Sequence, residues 1–330
     1  MASKHAYKLF FLMQSTVFLA LLMYYCYTPH PTMSHHCKQQ ASIKAFDVVS
    51  LWRKKNARGP LSNCTFNDIM NRPGVVLLTT TNLGFLDMTI NMLESIKKIG
   101  ICVYTVIVAE DKNVYRYLRR RTEIDPAIHV EMTDSGEVQS DLVMSTDHHR
   151  YFSLLKKRQG YILSLLDQNL EVLFTDSDTF WFQDPLPYFQ GDFDMSMMDP
   201  RSPYPTRTNK SHYCAGFAYF KPTTVTIQFV KKWITFMEGN DYMDQSVMNK
   251  LLRADQPVHV NIKPLDIKLF PPGPKFYEFL ERNASYSAVV MHAASIHGHD
   301  AKVRRFKSSN MWLVNKTSDE LVALEHSLNV

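Results

Sequence analysis

Runs of apolar residues alternate along the chain with segments that repeat apolar residues every three or four positions. The runs predict strands, and the repeats predict helices. The predicted strands cover residues 75–81, 101–109 and 128–132 and a stretch that starts at 172; the predicted helices cover residues 86–98, 113–121 and 147–167. Strands and helices that alternate in this way are typical of βαβ units, so the pattern predicts an α/β fold with a mainly parallel sheet.

The second half of the chain has a less regular pattern. Short strands are predicted over residues 192–198 and 217–220, and helices over residues 223–238 and 244–253. The part that begins at Pro271 reads as loop-rich, with one strand over residues 288–291. We therefore expect one α/β domain over residues 73–315 with a mixed second half, followed by a C-terminal tail over residues 316–330.

The first 72 residues have a different character. Residues 9–27 form an apolar run of roughly the length that spans a bilayer, preceded by Lys4 and Lys8. Because these lysines precede the run, the sequence predicts a cytoplasmic tail over residues 1–8, a transmembrane signal anchor over residues 9–27 and a luminal stem over residues 28–72. A cleaved signal peptide is the alternative interpretation, but no small-x-small cleavage site follows the run.

Glycosylation sequons and cysteines agree with a luminal body. Four Asn-x-Ser/Thr sequons are present, at Asn63, Asn209, Asn283 and Asn315. Beyond the apolar run, four cysteines allow three pairings, and the sequence does not choose among them. These are Cys37, Cys64, Cys102 and Cys214. A domain with one disulfide, or with none and Cys102 buried as a small apolar residue, fits equally well.

The net charge of the 330-residue chain is +5, which suits an acidic ligand. No dense stripe of Lys and Arg interleaved with aromatic residues is present, so the sequence gives no indication of a nucleic-acid partner.

Two aspartates end the strand that starts at residue 172. Because side chains alternate along a strand, Asp176 and Asp178 are expected to point the same way. Two neighbouring carboxylates without a counter-ion repel each other, whereas a divalent cation such as Mn²⁺ or Mg²⁺ would be held well by them. A polar turn, in which an aspartate caps a helix, is the structural alternative.

A second group of polar residues follows the strand predicted over residues 288–291. His292 ends that strand and is a candidate third ligand of the cation. Gly298 would let backbone amides approach a phosphate, and Lys302 would neutralise its charge. An exposed His-rich loop is the alternative, and His297 and His299 receive no assigned role.

Five segments, taken in order, resemble the nucleotide-diphospho-sugar transferase family, which includes plant rhamnogalacturonan xylosyltransferases. The resemblance spans roughly residues 74 to 313. The similar segments are Thr80-Thr81-Asn82 with Leu86-Asp87, Val172 to Pro185, Cys214 to Thr223, Met243 to Asn249, and Met291-His292-Ala293 with Gly298, Lys302 and Met311-Trp312. The chain departs from the family pattern at Ser177, Ala215 and Ala294.

The resemblance implies a GT-A-like, Rossmann-type fold and a retaining, metal-dependent transfer of sugar from a nucleotide diphosphate, such as a UDP-sugar, to a glycan or glycoprotein. It implies a metal site of Asp176, Asp178 and His292, and catalytic or acceptor-orienting roles for Asp244 and Gln245. The implied donor-binding residues are Thr80, Asn82, Asp87, Gly216, Gly298 and Lys302. Apart from the resemblance, Lys157 and Arg158 lie on the helix before the aspartate-bearing strand, where they are candidates to reach the nucleotide and would equally suit a solvated helix face.

Three functions remain to be distinguished. A Golgi glycosyltransferase with a luminal catalytic domain uses all of these features. A catalytically inactive glycan-binding module of the same fold would be expected to have a damaged metal motif, whereas Asp176, Asp178 and His292 are all present. A metal-dependent phosphohydrolase generally needs more scattered Asp and His ligands than the sequence offers.

Overall fold

The structure is a computed structural model that describes residues 64, 68–69, 74–125, 127–133, 148–200, 212–238, 243–253 and 259–327. The predicted tail and membrane anchor over residues 1–27 lie outside the described residues, as does nearly all of the predicted stem. Among the helices that are described, none has the length and apolar character needed to span a membrane.

Two sheets contain the strands of the described residues. The strands are Val75–Thr81 (β1), Tyr104–Ala109 (β2), Ile128–Met132 (β3), Glu171–Thr175 (β4), Thr179–Trp181 (β5), Met195–Met198 (β6), Phe217–Phe220 (β7), Ile262–Leu265 (β8) and Val290–His292 (β9). The larger sheet has the order β3-β2-β1-β4-β7-β6-β8, and β5 pairs with β9 in the smaller one.

The larger sheet is parallel in its first half and mixed in its second half. β1 is parallel to both β2 and β4, and β2 is parallel to β3. β7 runs antiparallel to β4 and β6, whereas β6 and β8 are parallel. This arrangement confirms the predicted α/β fold with a mainly parallel sheet and a mixed second half.

Helices cover both faces of the larger sheet. They are Leu86–Lys98 (α1), Lys112–Ile124 (α2), His148–Leu166 (α3), Thr224–Met237 (α4), Asp244–Arg253 (α5), Gly273–Arg282 (α6), His299–Ser308 (α7) and Ser318–Ser327 (α8). Alternate residues of β1 enter opposite cores: Val76 and Leu78 pack with α3, α4 and α5, while Leu77 packs with α1, α2 and α8. The continuous apolar runs of the sequence arise because both faces are buried.

The C-terminal part is more helical than the sequence pattern indicates. Residues after Pro271 were expected to be loop-rich, yet they contain α6, α7 and α8. The proline-rich run at residues 271–274 reads as a turn, but proline is also well suited to a helix start, where α6 places it. α8 lies within the predicted tail, and its Leu321 and Val322 are buried in the core, so this segment packs on the domain rather than extending from it.

A disulfide joins Cys64 to Cys102, with their Cα atoms 5.5 Å apart. It resolves the choice that the sequence left open for Cys102, and Cys214 is a free thiol. The bridge fastens the segment that precedes β1 to the residues just before β2.

Candidate active site

A tight turn, rather than the alternation of a strand, brings the two aspartates together. β4 ends at Thr175, and the chain turns through residues 176–178 before β5 begins at Thr179. The expected reason for the alignment of Asp176 and Asp178 is therefore wrong, although the two side chains do converge. The hydroxyls of Thr175 and Thr179, 3.0 Å apart, close the turn from inside.

His292 reaches the aspartates through the small sheet. β5 and β9 are antiparallel, with Thr179 opposite His292. His292 Nε2 lies 3.1 Å from Asp178 Oδ1 and 3.5 Å from Asp176 Oδ2. One ligand atom from each of the three residues lies within 4.8 Å of the others. The predicted metal-site residues are thus assembled in one place.

The three side chains differ in their exposure to solvent. The side chains of His292 and Asp178 are 4% and 7% exposed, whereas that of Asp176 is 34% exposed. Burial opposes ionisation of Asp178, but the charges of Lys302 and His292 outweigh it and hold its pKa below the usual range. Burial also disfavours the charged form of His292, yet Asp178 and Cys214 beside it raise its pKa well above the ordinary value. Because Asp176 is the most exposed of the three, a ligand would reach the cluster from the side of Asp176.

Gly216 leaves the space that the cluster occupies. A Cβ atom at this position would overlap Asp176 Oδ2 and His292 Cε1. The carbonyl oxygen of Gly216 also accepts a hydrogen bond of 2.7 Å from the backbone N–H of Asp176. Only glycine fits here, so Gly216, expected to bind the donor, lies directly against two of the metal-site residues.

Lys302 contacts the same cluster from α7. Its Nζ donates a hydrogen bond of 2.6 Å to Asp178 Oδ2. Gly298 stands at the N-terminus of α7 with a φ of +85°, a conformation that favours glycine. Lys302 and His292 thus meet at Asp178, while the donor-binding roles of Gly298 and Lys302 stay predictions.

A buried ion-pair network lies on the other side of Asp176. Arg158 of α3 donates to Asp176 Oδ1 at 3.0 Å, and its Nε pairs closely with Asp244. Asp244 is fully buried at the first turn of α5, where Gln159 Nε2 also approaches its Oδ2 at 3.3 Å. The interpretation of Arg158 as part of a solvated helix face is therefore wrong.

Gln245 is held at both ends of its side-chain amide. Its Oε1 accepts a hydrogen bond of 3.1 Å from the N–H of Ala215, and its Nε2 lies 3.3 Å from His212 Nε2. The amide thus sits one residue away from Gly216 and close to the metal-site cluster. Asp244, by contrast, has its carboxylate enclosed by Arg158 and Gln159.

Four other residues were predicted to bind the donor: Thr80 and Asn82 lie at the carboxyl end of β1, Lys157 lies on α3 and Asp87 lies on α1. Thr80 is partly exposed on β1, and Asn82 is buried just beyond it. The Asn82 Oδ1 atom has no hydrogen-bond partner among the described residues. Asp87 is bound by His299, whose Nε2 is 2.9 and 3.0 Å from its two oxygens. Asp87 is therefore engaged within the chain.

Glu110 is a buried acid that the sequence interpretation left without a role. It follows β2 and is 3% exposed. Burial raises its pKa to about 7, and the positive charge of Lys157 opposes part of that rise. Its Oε1 is 3.3 Å from the Tyr161 hydroxyl, while its Oε2 has no hydrogen-bond partner in the described ranges. The signal in the sequence was an acidic pair, Glu110 and Asp111, at the carboxyl end of a parallel strand.

Comparison with known proteins identifies the family. The sequence model of the nucleotide-diphospho-sugar transferases matches residues 101–306, more than half of the chain. The chain belongs to the nucleotide-diphospho-sugar transferase family. It is accordingly an enzyme that uses a nucleotide-sugar donor.

Several characterised proteins are similar to this transferase. It is 25% identical over 264 residues to UDP-D-xylose:L-fucose alpha-1,3-D-xylosyltransferase 1 of Arabidopsis thaliana, covering 73% of this chain and 71% of that protein. It is 22% identical over 288 residues to UDP-galactose:fucoside alpha-3-galactosyltransferase of Dictyostelium discoideum, covering 75% of this chain and 44% of that protein. Among solved structures, an active-site mutant of LgtC aligns with a TM-score of 0.47 at 12% identity, over 73% of this chain and 97% of that one.

Two of the predicted glycosylation sites of the transferase lie in the part of the chain that the structure describes. Asn283 is exposed at the C-terminal end of α6, and Asn315 is exposed just before α8. Asn63 and Asn209 lie outside the described residues. All four sites stay predictions.

Proposed function

We propose that this transferase is a Golgi enzyme that moves a sugar from a UDP-sugar to a glycan or glycoprotein acceptor and depends on a divalent cation. The observation that carries the proposal is the convergence of Asp176, Asp178 and His292 at the carboxyl end of β4. In open α/β sheets this is the edge where ligands bind.

The cluster fits a divalent cation chemically. Two carboxylates and an imidazole are a donor set that Mn²⁺ accepts, and carboxylates also suit Mg²⁺. Because Gly216 has no side chain, Asp176 and His292 have the room to bring their donor atoms close to each other. When bound, such a cation would supply positive charge next to the diphosphate of the donor.

Lys302 is placed to stabilise the departing nucleotide diphosphate. Its ammonium group lies in the metal-site cluster and is buried enough for its charge to act strongly. Negative charge grows on the leaving group as the sugar–phosphate bond breaks, so a fixed cation there favours the transition state over the ground state.

Arg158 and Asp244 hold the opposite wall of the site. Their buried pair fixes the guanidinium so that it also reaches Asp176. Through Gln245, the same helix start is connected to the backbone next to Gly216. We therefore assign the donor sugar to the space between Arg158, Gln245 and Gly216, with Asp244 acting as the group that positions Arg158.

The nucleotide is assigned to the carboxyl ends of β1 and β2. Asn82 and Glu110 each bring a buried oxygen that lacks a hydrogen-bond partner among the described residues. Buried polar atoms in folded proteins are normally paired, so an N–H or O–H group of a bound nucleotide is a suitable partner. Thr80 and Lys157 border the same region.

The relatives suggest the sugars to test first. The Arabidopsis protein is named for transfer from UDP-D-xylose to L-fucose, and the Dictyostelium protein for transfer from UDP-galactose to a fucoside. We propose a UDP-pentose or UDP-hexose donor, a fucose-containing glycan as acceptor and retention of anomeric configuration. The burial and pairing of the Asp244 carboxylate do not suit it for direct attack on the sugar.

A luminal location is supported by several features. The Cys64–Cys102 disulfide is typical of oxidising compartments. The exposed sequons at Asn283 and Asn315 suit the same compartment. Together with the apolar run over residues 9–27, they lead us to propose a single-pass type II membrane protein whose domain faces the Golgi lumen.

The test is turnover of nucleotide sugars by the purified full-length chain, scored by release of UDP. With Mn²⁺ we expect release from UDP-xylose or UDP-galactose that depends on a fucoside acceptor and stops on chelation. Asp178→Asn should lose most activity because it removes a buried ligand. The same exchange at the half-exposed Asp167, remote from the site, is the matched control.

Two results would contradict the proposal. If Asp178→Asn transfers sugar as fast as wild type, the assigned cluster is not the metal site. If the wild type transfers no sugar from any donor in the panel and calorimetry shows no metal-dependent binding of UDP, the chain is a glycan-binding module that has kept the fold.

A further inference from the structure

Helix α1 carries a stripe of buried polar side chains that point to distant parts of the chain. Asp87, Asn91 and Ser95 are four residues apart, so they lie on one face of the helix. All three are buried. We call this set the α1 polar stripe. Apolar side chains would fill such a buried face at lower cost, so these polar side chains need specific hydrogen-bond partners.

Each member of the α1 polar stripe bonds to a different segment. Ser95 Oγ accepts a hydrogen bond of 3.2 Å from the Trp181 N–H in β5. Asn91 donates to the carbonyl of Met311 at 3.0 Å and accepts from the N–H of Leu313 at 2.6 Å. In the sequence Trp181 follows the aspartates of the metal-site cluster, and Met311 and Leu313 follow Lys302.

Asp87 makes the third of these contacts, to the first residue of α7. His299 Nε2 lies 2.9 and 3.0 Å from the two carboxylate oxygens. Lys302, three residues further along, lies on the same side of α7 and reaches Asp178. α7 is therefore held at two points, by Asp87 of the stripe and by a residue of the metal-site cluster.

The protonation of His299 affects this contact. The charged groups facing the ring are Asp87 from α1 and Asp300 from its own helix, 3.3 Å from Nδ1, and the Phe85 ring meets it edge-on. Both ring nitrogens thus face carboxylates, and only the imidazolium donates to both. The hydrogen bond to Asp87 raises the pKa of His299, against the effect of partial burial.

We propose that His299 is a positioning residue of the transferase: by binding Asp87 it fixes α7 so that Lys302 and the Gly298 backbone face the donor diphosphate. The inference rests on the proposed function, since it assigns Lys302 to the departing nucleotide. His299 itself touches none of the metal-site residues. It acts through the placement of α7.

The kinetic test compares His299→Ala, His299→Gln and Asp87→Asn with wild type. His299→Ala removes a charge-assisted hydrogen bond, and if Lys302 is displaced we expect kcat/KM to fall about 10- to 100-fold. Because Lys302 acts on charge that grows in the transition state, the loss should appear in kcat more than in KM for the donor. His299→Gln keeps a donor toward Asp87 and should retain most activity.

A matched control is available in the loop that precedes α7. His297 is exposed and makes no hydrogen bond or ion pair within the described part of the chain, so His297→Ala should leave kcat and KM unchanged. The stoichiometry of UDP binding in calorimetry reports the folded fraction of each variant. In wild type, kcat should fall as the pH rises through the pKa of His299, and His299→Gln should lack that decline.

A spectroscopic measurement tests the contact without relying on turnover. The His299 Cε1–H resonance, assigned by its loss in His299→Gln, should titrate at lower pH in Asp87→Asn than in wild type. An unchanged titration would overturn the contact. A loss of kcat that matches a loss of UDP-binding stoichiometry would make the role merely structural. If wild type binds UDP without turnover, the proposed function fails and the kinetic role with it, while the resonance still reports the contact.

Discussion

Replacing Glu110 by glutamine should change how the stability of the protein depends on pH. Glu110 is buried at the end of β2, with the Lys157 charge, the Tyr161 hydroxyl and Thr133 around it and with Asp111 as an acidic neighbour. Burial raises its pKa from 4.5 to about 7. Glutamine has the shape of the protonated acid but cannot ionise.

The sign of the effect follows from proton linkage. Between pH 4.5 and about 7 the folded state holds a proton on Glu110 that the unfolded chain has released. Stability contributed by the neutral form is therefore complete below the unfolded pKa and is lost as the pH rises through the folded one. This difference in pKa between the folded and unfolded states corresponds to a loss of about 3 kcal/mol in the free energy of unfolding between pH 4.5 and pH 8.

Urea unfolding followed by tryptophan fluorescence at pH 5 and pH 8 measures this difference. Glu110→Gln should match wild type within about 1 kcal/mol at pH 5 and exceed it by about 3 kcal/mol at pH 8. Glu123→Gln, on the exposed side of α2, is the control and should have the same small effect at both values. A stability difference between Glu110→Gln and wild type that is the same at pH 5 and pH 8 would refute the reasoning.

Two further substitutions test the packing around the site. Gly216→Ala forces a methyl group into the space of the His292 ring. It should lower the free energy of unfolding, measured with urea, by about 1–3 kcal/mol and should abolish Mn²⁺-dependent UDP release. Gly160→Ala is the control, because its added carbon meets open space, and it should change neither quantity. Arg158→Met leaves the buried Asp244 carboxylate unpaired and should lower the free energy of unfolding by about 3–5 kcal/mol; an unaltered unfolding midpoint would show that the pair is not buried as described.

Local patterns in the sequence predicted the elements whose amphipathic or apolar character is complete within one segment. α1 was predicted over residues 86–98, the bounds that the structure has, because its apolar face repeats over several turns. β5 could not be predicted in this way. It has three residues, and its strand conformation depends on pairing with β9, more than a hundred residues later.

The same distinction between local patterns and long-range contacts applies to the residues of the site. The sequence could predict that Asp176, Asp178 and His292 lie close together, because each ends a predicted strand and the ends of strands share an edge of the sheet. The pairing of Arg158 with Asp244 and that of Asp87 with His299 each join helices distant in sequence. A charged residue on a helix is compatible with a solvated face until the opposing charge is located, which is why His299 received no role and why the sequence left Arg158 between a nucleotide contact and a solvated face.

The charges around the cluster explain why a cation and a diphosphate would be bound together. Within the described ranges, the three carboxylates of Asp176, Asp178 and Asp244 form ion pairs with two permanently charged cations, Arg158 and Lys302. With His292 neutral as a metal ligand, this set has a net negative charge that attracts a divalent cation, and with the cation it becomes net positive. A diphosphate is then favoured by the same local field, and linkage requires that each ligand tighten the binding of the other. The site is thus suited to a complex of the two ligands more than to either alone.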